Sequence, residues 1–236
     1  MQFEKPKADA MDTAVKGSVI SVLMAFMAGF VDTCGFIALF GLFTAHVTGN
    51  FVLIGASLAE NRPGIYGKLL AFPAFVLAVA ATRLYLLRCE RLKRDAVLPI
   101  LSGQMMFLVL FLAAGVYASP IREADAPLTM LTGILGVTAM AIQNAASRTV
   151  FVGLAPTTVM TGNVTQVVMD LVELTVDAEP APIKSRLRKM VPPVIGFAAG
   201  AIASGLGFAW AGFWCLVCPL AALLLVCVTY RRSVVK

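Results

Sequence analysis

A few polar side chains interrupt a chain that is otherwise strongly apolar, and they are the first candidates for chemistry. Asp32 lies in the middle of the apolar stretch AGFVDTCGF. A charged group at the centre of a bilayer costs about 2.5–3.5 kcal/mol on insertion scales. We therefore expect Asp32 to face the protein interior, where it meets a cation, a proton or a basic partner. Arg148 is the candidate for an intramembrane ion pair with Asp32, and a simple structural pairing is the alternative to a functional site.

The tripeptide Thr-Gly-Asn occurs twice, at 48–50 and 161–163, and each copy opens a short apolar run. Threonine and asparagine cap helix N-termini, and glycine permits close contacts or unusual backbone angles. The N-terminus of a short helix carries free N–H groups and a partial positive charge, which suit a polar ligand. Packing by small residues is the alternative. The predicted solute- or ion-binding residues are Asp32, His46, Thr48, Gly49, Asn50, Gln143, Asn144, Thr161, Gly162 and Asn163.

Three of these residues have two interpretations each. His46 is the single histidine, and an imidazole titrates near neutral pH, so it is either a proton switch or a hydrogen-bonded helix cap. Gln143 and Asn144 are amides within an apolar run, and buried amides need hydrogen-bond partners. They either hold helices together or line a polar path.

No enzyme motif occurs in the chain, and we expect neither catalysis nor a cofactor. The five cysteines include Cys215 and Cys218 in a CxxC pattern, but no further metal ligands accompany them, so no metal site is predicted. Asp170 and Glu173 are expected at the membrane interface beside a basic loop. Nucleic-acid binding is not expected, because no basic and aromatic stripe supports it.

The composition requires that these residues be positioned by membrane helices. The chain has 236 residues, of which 59% are hydrophobic and 14% charged, and its mean hydropathy is +0.87. Soluble domains carry about 25% charged residues. Runs of about 20 apolar residues span a bilayer as helices, and their all-round hydrophobicity argues against a β-barrel. The predicted apolar runs are 17–43, 44–59, 69–87, 97–117, 128–154, 157–172, 190–211 and 213–230.

The runs that carry the tripeptides, 44–59 and 157–172, are short, and the positive charges bear on whether they span. Arg83 and Arg148 lie near or within spans and are left out of the count. If both runs are re-entrant, 14 of the remaining basic residues lie on one side and three on the other, whereas eight full spans give 13 and four. Since basic residues favour the cytoplasmic side, we predict re-entrant elements and cytoplasmic N- and C-termini. Eight spans are the alternative.

The re-entrant prediction leaves six spans, 17–41, 69–87, 97–117, 128–152, 190–211 and 213–230. Three spans in each half invert the second half relative to the first, as in many transporters. We therefore predict an all-α integral membrane protein with an N-terminal tail at 1–16 and one membrane domain at 17–236. Its repeat halves are 17–117 and 128–230, and they are expected to meet at the two tripeptides.

The stretches MAGFVDTCGFIALFGLFTAHVTGN, AIQNAASRTV and TTVMTGNVTQ resemble the YoaK-like family of bacterial inner-membrane proteins, a domain of unknown function. The shared pattern comprises Asp32, the first Thr-Gly-Asn, the Gln143-Asn144 pair and the Thr-rich second motif. The resemblance implies a multi-pass bacterial membrane protein and leaves its activity open.

The residues themselves favour a transporter or channel for a small solute, an ion or a proton, and the resemblance implies that it lies in the bacterial inner membrane. A non-transporting protein that contacts lipids or an assembly partner, with its polar residues joining helices, is the alternative. Membrane lipids are the expected partners, and a homo-oligomer is left open.

Overall fold

The computed structural model describes residues 5–176 and 180–234, and within them every regular element is a helix. The all-α prediction is therefore confirmed. The elements are α1 (Lys5–Ala38), α2 (Val47–Glu60), α3 (Ile65–Arg91), α4 (Val97–Ala118), α5 (Pro127–Ser147), α6 (Met160–Val176), α7 (Pro180–Ala211), the 3-10 helix η1 (Gly212–Leu216) and α8 (Val217–Val234).

Five helical segments among the described residues are long and apolar enough to cross a membrane, which confirms the polytopic membrane bundle. The fifth has 52 residues and contains α7, η1 and α8, while α2 is a shorter apolar helix. A helix rises 1.5 Å per residue, so segments of 21 residues or more cover the roughly 30 Å of hydrocarbon. The five segments are Gly17–Ala38, Ile65–Arg91, Val97–Ala118, Pro127–Ser147 and Pro180–Arg231.

Two helices begin well before the apolar runs that predicted them. Helix α1 begins at Lys5, inside the predicted tail, and α7 begins at Pro180, ten residues before the predicted span. Hydropathy marks only the lipid-facing part of a helix, whereas backbone hydrogen bonds continue into polar sequence. Proline suits the first helical position, because its missing N–H would have no partner there.

Helices α1 and α7 pack so closely that their backbones touch. A Cβ atom at Gly200 would overlap the Phe26 carbonyl oxygen, and one at Gly196 would lie 2.9 Å from the Val22 carbonyl oxygen. The contacts advance in the same direction along both helices, so α1 and α7 run parallel. Small residues four apart permit this approach, and we call this contact the glycine seam.

The pairing of α3 with α5 is looser than the glycine seam. An apolar groove of about 610 Å³ lies between these helices, with Pro73 and Leu77 of α3 on one side and Ile134 and Thr138 of α5 on the other. The groove beside the α1–α7 pair, which includes Pro192, measures about 420 Å³. One groove thus lies on the α3–α5 pair and the other on the α1–α7 pair, and of these two pairs only α1–α7 is closed by glycines.

Contacts near the helix ends fix where the short helices leave and return. The buried Lys68 ammonium donates to the carbonyl oxygens of Phe40 at 2.8 Å and Gly64 at 3.2 Å. The end of α1 therefore lies beside the start of α3. At the other end of α1, a Cβ on Gly17 would lie 3.1 Å from the Leu154 side chain, so the segment after α5 lies beside the start of α1.

Candidate functional site

The Asp32 carboxylate, near the end of α1, binds the segment that leads into α2. Asp32 is only 4% exposed. Its Oδ1 accepts hydrogen bonds from the backbone N–H of Ala45 at 2.6 Å, the backbone N–H of His46 at 3.4 Å and the Thr44 hydroxyl at 3.4 Å. A carboxylate that accepts several donors compensates for the water it has lost. Asp32 thus satisfies backbone donors just before the first turn of α2.

The chain reaches Asp32 again because it reverses directly after α1. Phe40 and Gly41 adopt φ values of 54° and 79°. This left-handed conformation is common for glycine and uncommon for a bulky residue such as phenylalanine. The Leu42 side chain then packs where a Cβ on Gly133 of α5 would stand. The reversal returns residues 44–46 to the level of Asp32.

The second oxygen of Asp32 faces the imidazole of His46. The distance from His46 Nδ1 to Asp32 Oδ2 is 2.7 Å, and the side-chain exposures are 30% for His46 and 6% for Asp32. The imidazole is thus the accessible member of the pair. The rings of Phe43 and Phe197 stand edge-on to it, with centroids 6.0 and 5.7 Å away. His46 therefore contacts α7 through Phe197 as well as α1 through Asp32.

The predicted pairing of Asp32 with Arg148 is wrong. Arg148 follows the last residue of α5 and is exposed. Among the described residues it makes no ion pair. Helix α5 runs antiparallel to α1, so its end lies beside the start of α1, far from Asp32. The folded-back segment supplies His46 instead.

The asparagines of the two tripeptides make corresponding contacts. The Asn50 side chain donates to the carbonyl oxygen of Phe43 at 2.9 Å and accepts from the Phe43 N–H at 2.9 Å. The Asn163 side chain donates to the carbonyl oxygen of Pro156 at 2.8 Å. Each asparagine bonds the residue seven positions earlier and so closes a turn at the start of its helix. Proline has no N–H, so the second turn lacks the reciprocal bond.

A second polar cluster lies where α5 faces the segment before α6. The Gln143 side-chain NH₂ donates to the Met24 carbonyl oxygen at 2.8 Å and to the Thr157 hydroxyl at 3.2 Å. Asn144 donates to the Thr158 hydroxyl at 3.0 Å. These amides bind the turn before α6 as Asp32 binds the turn before α2. The roles are exchanged, because here the long helix donates and the turn accepts.

Gln104 of α4 extends this second cluster, and the sequence interpretation missed it. It is fully buried and donates to Gln143 Oε1 at 2.8 Å. Its own Oε1 has no partner among the described residues. Gln104 is the only amide in α4, which is the signal that would have identified it.

The hydrogen bonds form two clusters rather than the single shared site that the sequence predicted. The first cluster is bound to α1 through Asp32 and the second through the Met24 carbonyl oxygen. These two residues are eight positions apart, or about 12 Å along the helix. No hydrogen bond among the described residues joins the clusters. Helix α2 packs on α3 and α6 packs on α7, so each short helix is supported by its own half.

The remaining tripeptide residues lie outside both clusters. Thr48, Thr161 and Gly162 are exposed, whereas Asn50 and Asn163 are buried. Gly49 packs on the ring of Phe43 and faces the Cβ atom of His46, because its missing side chain leaves room for them. Of each tripeptide, the asparagine is therefore the residue that fixes the turn.

A separate ionic cluster fastens the far end of α6 to α7. Arg186 donates to both carboxylate oxygens of Asp170, at 2.8 to 3.3 Å, and to Glu173 at 2.9 Å. Arg186 lowers the pKa of the Asp170 carboxyl, chiefly by hydrogen bonding, and Gln166 adds a further donor. The Arg186 guanidinium thus binds both carboxylates, as expected of a structural cluster.

Comparisons with known proteins agree with the family resemblance of the sequence. The family described as "Protein of unknown function (DUF1275)" matches residues 20–229. The UPF0700 transmembrane protein YoaK of Bacillus subtilis (strain 168) is 26% identical over 163 residues, which cover 68% of this chain and 70% of that relative. No solved structure matches the chain.

Proposed function

The chain belongs to the DUF1275 family, and on that premise we propose that it is a transporter or channel for a small solute or an ion. The two Thr-Gly-Asn turns would form the transport pathway. Each turn begins a short helix, and each is bound by polar side chains of a long helix inside the apolar bundle.

We infer that α2 is re-entrant, which means that it enters and leaves the membrane on one side. The hydrogen bond from Lys68 to Phe40 supports this, because it joins the end of α1 to the start of α3. Helix α2 has only 14 residues, Val47–Glu60, about 21 Å of helix. That length is short of the roughly 30 Å hydrocarbon core.

We infer the same for α6, from the opposite side. The contact of Leu154 with Gly17 supports a return of the chain beside the start of α1. Arg186, near the start of α7, bonds Asp170 near the end of α6. Since α7 runs parallel to α1, both ends of the 148–180 segment belong to the side where α1 begins.

The helix contacts support an inverted repeat. Helix α1 packs on α7 and α8, and α5 packs on α3 and α4 in the corresponding way. The pairs α2–α3 and α6–α7 also correspond. Exchanging the halves therefore exchanges like contacts, as expected for two halves related by a two-fold axis in the membrane plane.

The observation that carries the proposal is the pair of buried asparagine turns beside intramembrane polar clusters. Asn50 and Asn163 are 1% and 3% exposed, and both start helices inside a bundle of apolar spans. Polar groups at this depth are costly and characteristic of substrate or ion paths. Short helices with polar N-termini are a recurring element of transporter binding sites.

We place the protein in the bacterial inner membrane with both termini in the cytoplasm. In the re-entrant arrangement the basic residues divide 14 to three, and the richer side holds the termini, as the positive-inside rule requires. Helix α2 would then enter from the periplasmic side and α6 from the cytoplasmic side.

Cysteine labelling tests this arrangement. All five native cysteines are replaced, and single cysteines are introduced at Arg62, Arg122 and Lys184 in intact cells. A membrane-impermeant reagent should label positions 62 and 122 from outside, and position 184 only after permeabilisation. Eight full spans would put all three positions inside, so protection at position 62 in intact cells would overturn the re-entrant arrangement.

Flux in proteoliposomes tests transport itself. Purified protein is tested by solid-supported-membrane currents with inorganic cations, anions and amino acids, and by osmotic swelling with glycerol and urea. We expect a protein-dependent signal for at least one class, reduced in Asn50→Ala and Asn163→Ala. The Arg83→Gln variant serves as the control, because Arg83 is exposed and, within the described part of the chain, pairs only with Glu90. No signal from folded wild-type protein would count against transport.

A second candidate is a membrane protein that does not transport and uses its polar residues to join helices. The bond between Gln104 and Gln143 favours it, because it links α4 to α5 with both amides fully buried. This function predicts that substitutions at these residues lower the melting temperature in detergent and change no flux. Transport predicts altered flux in variants that remain folded.

A further inference from the structure

Ionisable side chains are rare in the bundle interior. Helices α4 and α5, the 190–211 part of α7 and the spanning part of α1 together contain one acidic residue, Asp32, and no basic residue. Among the residues that the structure describes, the basic group bound to Asp32 is the ring of His46. A buried carboxylate and a partly exposed imidazole therefore stand together in an otherwise uncharged environment.

The other ionisable groups on neighbouring elements are bound elsewhere. Lys68 of α3 donates to backbone carbonyls at the end of α1 and the start of α3. Cys34 on α1 and Cys215 on η1 are free thiols. Glu60 is the last residue of α2, at the end remote from Asp32. The charge of the pair is thus set by Asp32 and His46 alone.

The geometry identifies the ring atom that can exchange a proton. Nδ1 is held against Asp32 Oδ2 at 2.7 Å, and Nε2 has no hydrogen-bond partner among the described residues. His46 is also the more exposed member, with 30% of its side chain accessible. A proton that reaches the pair would therefore arrive at Nε2.

We propose that Asp32 and His46 form a proton-binding site and that transport by this protein is coupled to protons. In the loaded state Nδ1–H and Nε2–H are both present, and the imidazolium and carboxylate sum to zero charge. Loss of the Nε2 proton to water leaves a neutral imidazole and a carboxylate, with a net charge of −1. One proton is bound and released in each cycle, and no other reactant is needed.

The coupling rests on the proposed transport function and follows from the position of the pair at the start of α2. A net negative charge in an apolar bundle is costly. The deprotonated pair therefore favours either a cation at the site or movement of the α2 start toward water. The second half contains no such device, because Val159 and Ala145 stand where the first half has His46 and Asp32.

The single histidine makes a direct measurement available. Protein with ¹⁵N-labelled histidine, purified with a tag that contains no histidine and placed in lipid nanodiscs, gives signals from His46 alone. We expect its ring nitrogens to titrate between about pH 5 and 9, because histidine charge ordinarily changes between about pH 5 and 8 and the hydrogen bond to Asp32 raises the pKa of His46. A ring that keeps one protonation state over this range would overturn the proposal.

Two aspartate variants test whether the carboxylate controls the proton. Asp32→Asn removes the negative partner, so the His46 midpoint should move to lower pH by at least about one unit. Asp95→Asn makes the same chemical change in the loop before α4 and should leave the midpoint unmoved. An unmoved midpoint in folded Asp32→Asn protein would overturn the coupling of the two groups.

A pH jump on proteoliposomes connects the site to transport. Wild-type protein should give a transient current on a solid-supported membrane, and His46→Gln should lose it while retaining the wild-type elution profile in detergent. If a solute flux is found that neither pH nor His46→Gln alters, proton coupling is wrong and transport stands. If His46 titrates and the current persists in His46→Gln, the pair is not the proton-binding site.

Discussion

The turn before α2 is organised by a carboxylate, whereas the turn before α6 is organised by two amides. In the first, Asp32 accepts from the backbone of the turn and from His46. In the second, Gln143 and Asn144 donate to threonine hydroxyls. The asparagine that closes each turn is the same. The asparagines thus fix the backbone of both turns in the same way, whereas ionisable side chains are present at the turn before α2 only.

The two clusters therefore suit different roles, one structural and one chemical. A neutral amide cluster adds directional hydrogen bonds without a net charge, so it suits a permanent joint between helices. A carboxylate with an imidazole changes its charge with one proton, so it suits a moving part. The first half is therefore the place to seek ligand and proton effects, and the second half is the place to seek stability effects.

The largest predicted effect compares the two organising side chains. Asp32→Ala leaves His46 and two backbone N–H groups without their acceptor, and it should destabilise the protein by about 3 kcal/mol. Gln143→Ala removes neutral hydrogen bonds and should cost about 2 kcal/mol. Reversible unfolding in mixed SDS micelles measures both. Equal costs would mean that the charge of the first cluster carries no energetic weight.

The next effect compares the two asparagines. Asn50→Ala breaks two hydrogen bonds to Phe43 and should cost about 2 kcal/mol, while Asn163→Ala breaks one to Pro156 and should cost about 1 kcal/mol. The same unfolding assay checks the difference. If Asn163→Ala proves the more costly substitution, the turns are not held in the way described.

A smaller effect would make the turns alike. Pro156 is exposed, and Pro156→Ala restores a backbone N–H at the position that corresponds to Phe43. The cost of Asn163→Ala should then rise by about 0.5–1 kcal/mol in the Pro156→Ala background. A double-mutant cycle measures this coupling, and a coupling of zero would show that the restored N–H makes no bond to Asn163.

The smallest effect concerns the ionic cluster at the end of α6, which joins α6 to α7, whereas the ion pair at the end of α2 joins Glu60 to the neighbouring Arg62. Arg186 lowers the pKa of the Asp170 carboxyl. The cluster therefore stabilises the protein fully when the pH is above the ordinary aspartate pKa of about 4. The stabilisation is lost as the pH falls through the lowered value. Melting curves from pH 7 downward should converge for wild type and Asp170→Asn. Arg186 is 43% exposed, so the gap at pH 7 should be small.

The sequence predicted the helices and the polar residues better than the contacts between them. Apolar runs of span length identify membrane helices because lipid demands them, and a polar residue within such a run is conspicuous. Asp32, His46, Asn50 and Gln143 were all identified in this way. Hydropathy also predicted the two short runs, whereas the family resemblance rested on the residues around Asp32, the tripeptides and the Gln143-Asn144 pair.

The partners of these residues depend on backbone reversals that hydropathy does not record. Asp32 was assigned to Arg148, although the turn at Phe40 and Gly41 brings His46 to it. A left-handed phenylalanine is not predictable from residue type, because most phenylalanines avoid that conformation. Gln104 was overlooked because it belongs neither to a tripeptide nor to the pattern shared with the family, although a lone amide in a long apolar helix was a usable signal.

Helix α1 binds both turns, since Asp32 bonds the one before α2 and the Met24 carbonyl accepts from Gln143 beside the one before α6. The glycine seam also fixes α1 to α7. A displacement of this joined pair of helices would therefore change the hydrogen bonds at both turns at once. Helix α1 thus acts as a shared lever, because a shift of α1 changes the hydrogen bonds of both turns together.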